Sequence, residues 1–142
     1  QRQMCIRDSP HTLWGIHVRD MPNFYMMIGP QSLNPVTNVT LLCEEQSKYI
    51  AQLVKRMKRQ NLLEVEPRTE AVDAWTERCR ETAEGKVWLK CNNWYTKSTK
   101  TDEQSNRPRA RLMWMESYED YLQHLLGEEG GAPDDLLEFS PG

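Results

Sequence analysis

A chain of 142 residues is long enough for one domain with a real, though modest, core. Its 18 basic and 21 acidic residues leave a formal charge of −3, which argues against a dedicated nucleic-acid binder. Mean hydropathy is −0.78 and no apolar run approaches the roughly 18 residues needed to cross a bilayer, so no membrane partner is expected.

Residues 1–9 (Gln-Arg-Gln-Met-Cys-Ile-Arg-Asp-Ser) read as a translated sequencing-adapter tail, a non-native leader to be set apart from fold reasoning. An ordinary polar arm is the alternative. Residues 10–126 form the expected folded portion. Within it, residues 13–18 are a short extended stretch broken by Gly15, and residues 19–22 a turn ended by Pro22. Residues 24–28 (Phe-Tyr-Met-Met-Ile) are continuously apolar over a strand's length. Such a run predicts a strand buried on both faces, as in the parallel sheet of an α/β protein.

A loop with Gly29-Pro30, Gln31 and Asn34-Pro35 leads to a helix predicted over residues 38–60. Leu42, Gln46, Tyr49, Ile50, Leu53, Val54 and Met57 recur at three- and four-residue steps along one face of it. Residues 62–67 form an extended connector ended by Pro67. A second helix follows over residues 69–84, with Thr69 as N-cap, Gly85 as stop and an apolar stripe of Val72, Trp75, Cys79 and Ala83. Residues 96–106 are a polar loop and residues 109–115 a short strand. A last helix starts at Ser117 with Asp120 three residues on, and Tyr118, Tyr121, Leu122 and Leu125 on its apolar side. Residues 127–142 are acidic and rich in Gly and Pro, which predicts a disordered tail.

The four cysteines (Cys5, Cys43, Cys79, Cys91) make no C-x-x-C pair, and no secretory signal is visible, so a reducing, cytoplasmic setting is expected. His11, His17 and His124 are scattered without ligand-spaced partners, so no metal site is expected. The adjacent pairs Glu44-Glu45 and Glu128-Glu129 read as solvated surface. Arg107, Arg109 and Arg111 alternate as the wet face of a strand does, with contact to a phosphate group as the other reading. No Gly-x-Gly-x-x-Gly follows any strand.

The candidate site is the start of the long helix at Thr37, Asn38 and Val39. The first N–H groups of a helix lack intrahelical acceptors and carry partial positive charge, which suits an anionic or electron-rich ligand group. An N-capped surface helix is the plainer reading of the same residues. Asn38-Val39-Thr40 also fits a glycosylation sequon, read as a chance occurrence without a secretory signal.

The order of elements resembles the C-terminal part of Baeyer–Villiger monooxygenases, within the wider flavin-dependent monooxygenase group. Pro22-Asn23-Phe24, Gly29-Pro30 and Thr37-Asn38 match their strand, turn and helix start. Glu64-Val65-Glu66-Pro67 then matches their short acidic link, and Ala71 to Cys79 their Trp-bearing helix. Asn93-Trp94-Tyr95, Arg107-Pro108-Arg109 and Tyr121 follow in the family's order. The resemblance implies a partial α/β portion of a flavoprotein with two dinucleotide-binding domains, comprising its last sheet strand and long helices. It implies FAD and NADP as cofactors, a ketone or other organic substrate, O2, and a missing N-terminal portion of the same chain.

The activity implied is insertion of one O2-derived oxygen beside a ketone carbonyl. Gln31, Thr37, Asn38 and Val39 would contact or border the flavin, and Trp94 would contact NADP on a closing loop. No catalytic residue falls within this stretch, and the piece by itself is expected to be inactive. Residues 96–101 depart from the family's usual Gly-Ala-Asn-x-Pro-Gly, so its loop contacts and substrate preference do not carry over. An N- or S-oxygenating flavin monooxygenase and a non-catalytic helical interaction domain are the alternative readings.

Overall fold

The computed structural model describes residues 11–32, 37–86, 113–127 and 134–142. The chain opens with a small hairpin, β1 (Thr12–Leu13) against β2 (His17–Val18), with Leu13 opposite His17. Trp14 (φ 57°) and Gly15 (φ 70°) form its turn, closed by the Ile16 N–H on the Leu13 carbonyl at 3.0 Å. Positive φ at both central positions is the geometry that matches the twist of paired strands. Leu13, Trp14, Ile16 and His17 are all buried, so this hairpin lies in the core.

Helix α1 spans Val39–Gln60. Its start is fixed by Asn38, whose side-chain oxygen accepts the Thr40 N–H at 2.9 Å, and its last turn carries Lys58 and Arg59. Leu42, Gln46, Tyr49, Leu53 and Met57 are the buried residues, the face expected from their spacing. Asn61 ends the helix in the left-handed conformation (φ 53°), a region that Asn enters more readily than most residues.

Strand β3 (Leu62–Pro67) follows and pairs antiparallel with β4 (Leu137–Pro141), Val65 lying opposite Phe139 and Pro67 opposite Leu137. Helix α2 (Thr69–Ala83) packs Val72, Trp75, Cys79 and Ala83 inward, with Arg68 rather than Thr69 at its N-cap. Helix α3 (Tyr118–Leu126) has the predicted capping pair. The Ser117 hydroxyl accepts the Asp120 N–H at 3.0 Å and donates to the Asp120 carboxylate at 2.6 Å. Trp75 stacks on Trp114 with centroids 4.7 Å apart, and both rings meet the edge of His124. Burial of such large side chains is worth about 1.5–3 kcal/mol each and dominates the stability of a core this small.

Two expectations are corrected. Residues 24–28 are not a strand buried in a parallel sheet. Asn23 (φ 58°) and Ile28 (φ 52°) curl the chain at both ends, Tyr25 makes a single antiparallel bridge to His17, and Phe24 and Met27 are 47% and 43% exposed. An apolar run needs flanking strands on both sides to become a central strand, and here the bridge lies on one side. The acidic tail is not disordered at residues 137–141, because Leu137 enters the core (1% exposed) and β4 completes a sheet with β3. The predicted polar loop and most of the predicted strand at 109–115 lie outside the described residues.

Candidate functional site at the start of the long helix

The approach to α1 is built on two glycines in contact. The Gly29 N–H donates to the Gly15 carbonyl at 3.1 Å. A Cβ at Gly29 would lie 2.3 Å from that oxygen, and one at Gly15 would lie 2.5 Å from Ser32 Cβ. Neither position admits a side chain without moving backbone. The hairpin turn and the 28–32 loop are thereby pressed together.

Buried polar groups hold the loop in shape. The Thr12 hydroxyl donates to the Pro30 carbonyl at 2.8 Å and accepts the Gly15 N–H at 3.1 Å. Gln31 is fully buried (0% exposed), with Oε1 accepting the Thr12 N–H at 3.0 Å and Nε2 donating to Thr76 Oγ1 at 3.2 Å. The Ser32 hydroxyl closes on the Gly29 carbonyl at 2.8 Å. On the other side, Gln46 of α1 accepts the Ile28 N–H at 2.8 Å and donates to the Tyr121 hydroxyl at 2.7 Å, which donates to the Trp14 carbonyl at 2.8 Å.

At the helix start, Thr37 is half-buried while Asn38 and Val39 are exposed. The N–H of Thr40 goes to the Asn38 side chain, and those of Leu41 and Leu42 to the Asn38 carbonyl. By helix geometry the Val39 N–H is left without an intrahelical acceptor. Val39 and Leu41 are 47% and 48% exposed and set apolar surface beside it. A donor next to an apolar wall suits the electron-rich edge of a flat ring. A narrow crevice below, too tight for a water molecule, is lined by Ser32, Thr37, Leu42, Trp114, Tyr118 and Tyr121.

Of the residues singled out in the sequence, Thr37, Asn38 and Val39 thus stand together, and Gln31 lies inside, its side chain committed to Thr12 and Thr76. Trp94, Arg107, Arg109 and Arg111 lie outside the described residues. Thr12 and Tyr121 were not assigned roles in this loop from the sequence. Gln46 carried a signal, since it is the one amide on an otherwise apolar helix face.

His17 and Cys79 are unsuited to acid–base or nucleophilic chemistry near pH 7. Burial lowers the His17 pKa to about 4, so its ring is neutral near pH 7, sharing a 2.8 Å hydrogen bond with the Tyr49 hydroxyl. Burial pushes the Cys79 thiol up to about 12, far from the range of a reactive cysteine. Among the described residues, a hollow of about 460 Å³ is lined by Gln52, Lys55, Lys58 and Arg59, all from α1. It lies far along the helix from Asn38. Among the described residues no three His, Cys, Asp or Glu are grouped to hold a metal ion, and no helix is long and apolar enough to cross a membrane.

Comparison with known proteins bears on the chain as a whole. No family model matches the chain. A Baeyer–Villiger monooxygenase of Pseudooceanicola batsensis is 35% identical over 88 residues, which cover 62% of this chain and 16% of that one. The chain is homologous to part of the Baeyer–Villiger-type flavin-containing monooxygenases. An FAD-binding monooxygenase of Dothistroma septosporum is 28% identical over 131 residues, covering 87% of this chain and 21% of the relative. The crystal structure of cyclohexanone monooxygenase from Rhodococcus sp. Phi1 bound to NADP+ superimposes with a TM-score of 0.76 at 22% identity. That match takes in 95% of this chain and 24% of the other, and shows that the fold is part of this monooxygenase fold. The chain spans only about a sixth to a quarter of the length of the proteins it matches.

Proposed function

We propose that this chain supplies part of the cofactor site of an FAD-dependent, NADPH-using monooxygenase that inserts one O2-derived oxygen beside a ketone carbonyl, giving an ester or lactone. The observation that carries the proposal is the 35% identity to a Baeyer–Villiger monooxygenase over a stretch of 88 residues. The donor set at the helix start fits the cofactor. In this reading Val39 offers its N–H to the electron-rich edge of the flavin, Asn38 fixes the helix that carries it, and Thr37 borders the same edge. Gln31 supports them from behind. Val39 and Leu41 cover the ring and keep water from it.

The chemistry supplied by bound FAD is hydride acceptance from NADPH and activation of O2. Trp94 is assigned to the NADP side, as an indole N–H donor and flat surface. The partners of this stretch are the remainder of the monooxygenase, the ketone and O2. The free thiols of Cys43 and Cys79 are in keeping with a cytoplasmic protein.

The test is to purify the full-length protein that carries this chain and assay it with NADPH, a panel of cyclic and linear ketones, and isotopically labelled O2. A yellow protein that oxidises NADPH faster with a ketone and delivers one labelled oxygen to an ester is the expected result. Labelled N- or S-oxides in place of esters would move the assignment to the related class. A colourless protein with no NADPH oxidation would leave the enzyme reading without support.

A further inference from the structure

Three residues around the loop hold backbone conformations that L side chains seldom adopt: Trp14 (φ 57°), Ile28 (φ 52°) and Gln31 (φ 70°). Positive φ at a β-branched residue such as Ile28 is a true outlier, and it persists only where its surroundings over-determine it. What surrounds it here is a buried relay. The Ile28 N–H is held by Gln46 Oε1 at 2.8 Å, Gln46 Nε2 holds the Tyr121 hydroxyl at 2.7 Å, and that hydroxyl holds the Trp14 carbonyl at 2.8 Å. Gln46 and Tyr121 are 0% and 1% exposed, so water cannot replace either partner.

The relay thus joins two of the three left-handed residues to two helices, α1 and α3. Gln46 stands two turns into α1, the same helix whose start presents Asn38 and Val39. A helix is stiff over that length, so whatever fixes Gln46 against Ile28 fixes the helix start against the 28–32 loop. We infer that Gln46 and Tyr121 are positioning residues: they lock the left-handed Ile28 to α1 and α3, and so set where the helix start meets the flavin. This rests on the proposed flavin site. It extends that site to two buried side chains that need not touch the cofactor.

A positioning role differs from a purely structural one in what a lost hydrogen bond changes. Tyr49 supplies the comparison. It is on the same helix, 2% exposed, and its hydroxyl is also in a buried 2.8 Å bond, but to His17 rather than to the loop. The experiment uses the full-length holoenzyme in four forms: wild type, Gln46→Leu, Tyr121→Phe and Tyr49→Phe. For each, FAD dissociation, the reduction potential of bound FAD by dye equilibration, and the unfolding temperature are measured.

All three variants should unfold at lower temperature. Only Gln46→Leu and Tyr121→Phe should also release FAD about tenfold more readily, the equivalent of one lost buried hydrogen bond. The same two should lower the potential of the retained FAD, since a displaced helix start stabilises reduced flavin less. If Gln46→Leu does not fold, Tyr121→Phe carries the test through one missing hydroxyl. A wild type that holds FAD, with FAD affinity and potential unchanged in both relay variants, would overturn the positioning role and leave the flavin site standing. A wild type that holds no FAD would overturn both.

Discussion

The two ends of α1 are held by different physics. At its N-terminal end the chain crosses three left-handed non-glycine residues and a glycine contact with no room for a Cβ, all tied by buried side-chain hydrogen bonds. At its C-terminal end, roughly 33 Å away for a helix of 22 residues, Asn61 closes the helix in the left-handed region that Asn tolerates and the Asn23 side chain bridges Leu63 and Val65, but the rest of the fastening is apolar burial and strand pairing. There β3 and β4 pair in extended backbone, Leu137 fills the core, Arg56 lies over the Phe139 ring at 4.8 Å, and an exposed Arg68–Glu138 pair closes the edge at 3.0 Å. Apolar burial tolerates small shifts, whereas a network of buried polar groups accepts one geometry. The end that needs one geometry is the end assigned to the cofactor.

This comparison is tested most severely at the plain end. Leu137→Ala should cost roughly 3–4 kcal/mol of stability in urea unfolding, because it empties a fully buried site. The NADPH and FAD behaviour of whatever remains folded should stay near wild type. A large change in FAD potential from Leu137→Ala would mean that the two ends are coupled through α1 after all.

Acid provides the next test, midway along α1, where His17 meets Tyr49. His17 has its pKa lowered to about 4 by burial, so between there and its ordinary value of 6.5 the unfolded chain binds the proton and the folded chain does not. This contribution to stability is complete above pH 6.5 and falls away as the pH drops towards 4. The whole shift corresponds to about 3 kcal/mol. His17→Gln should flatten the part of the pH–stability profile between those limits, measured against wild type. An unchanged slope would place the acid sensitivity elsewhere, in His124, whose pKa burial also lowers, or in the carboxylates.

Gly29→Ala should cost about 2 kcal/mol, since the new methyl meets the Gly15 carbonyl oxygen and the backbone must move. It should also weaken FAD retention, unlike Leu137→Ala. Asn38→Ala is the mildest change, about 1 kcal/mol for a lost N-cap, read as a small fall in unfolding temperature. If Asn38→Ala exceeds Gly29→Ala in its effect on stability, the loop is looser than the glycine contact implies.

The sequence by itself determined the helices. The three- and four-residue spacing from Leu42 to Met57, the Asn38 cap, the Ser117–Asp120 pair and the stripe from Val72 to Ala83 are local features whose energies depend on neighbours in the chain, and all appear in the structure. The sequence also carried the family resemblance and the helix start at Thr37, Asn38 and Val39. It could not decide residues 24–28, because an apolar run says that a segment can be buried, not that strands stand on both sides of it. Nor could it pair β3 with β4, whose residues Val65 and Phe139 meet across the whole second half of the chain. The interior place of Gln31 and the relay through Gln46 and Tyr121 are likewise tertiary. A lone amide on an apolar stripe announces a buried partner, but only the folded chain, bringing Ile28 and Tyr121 to either end of that amide, decides which one.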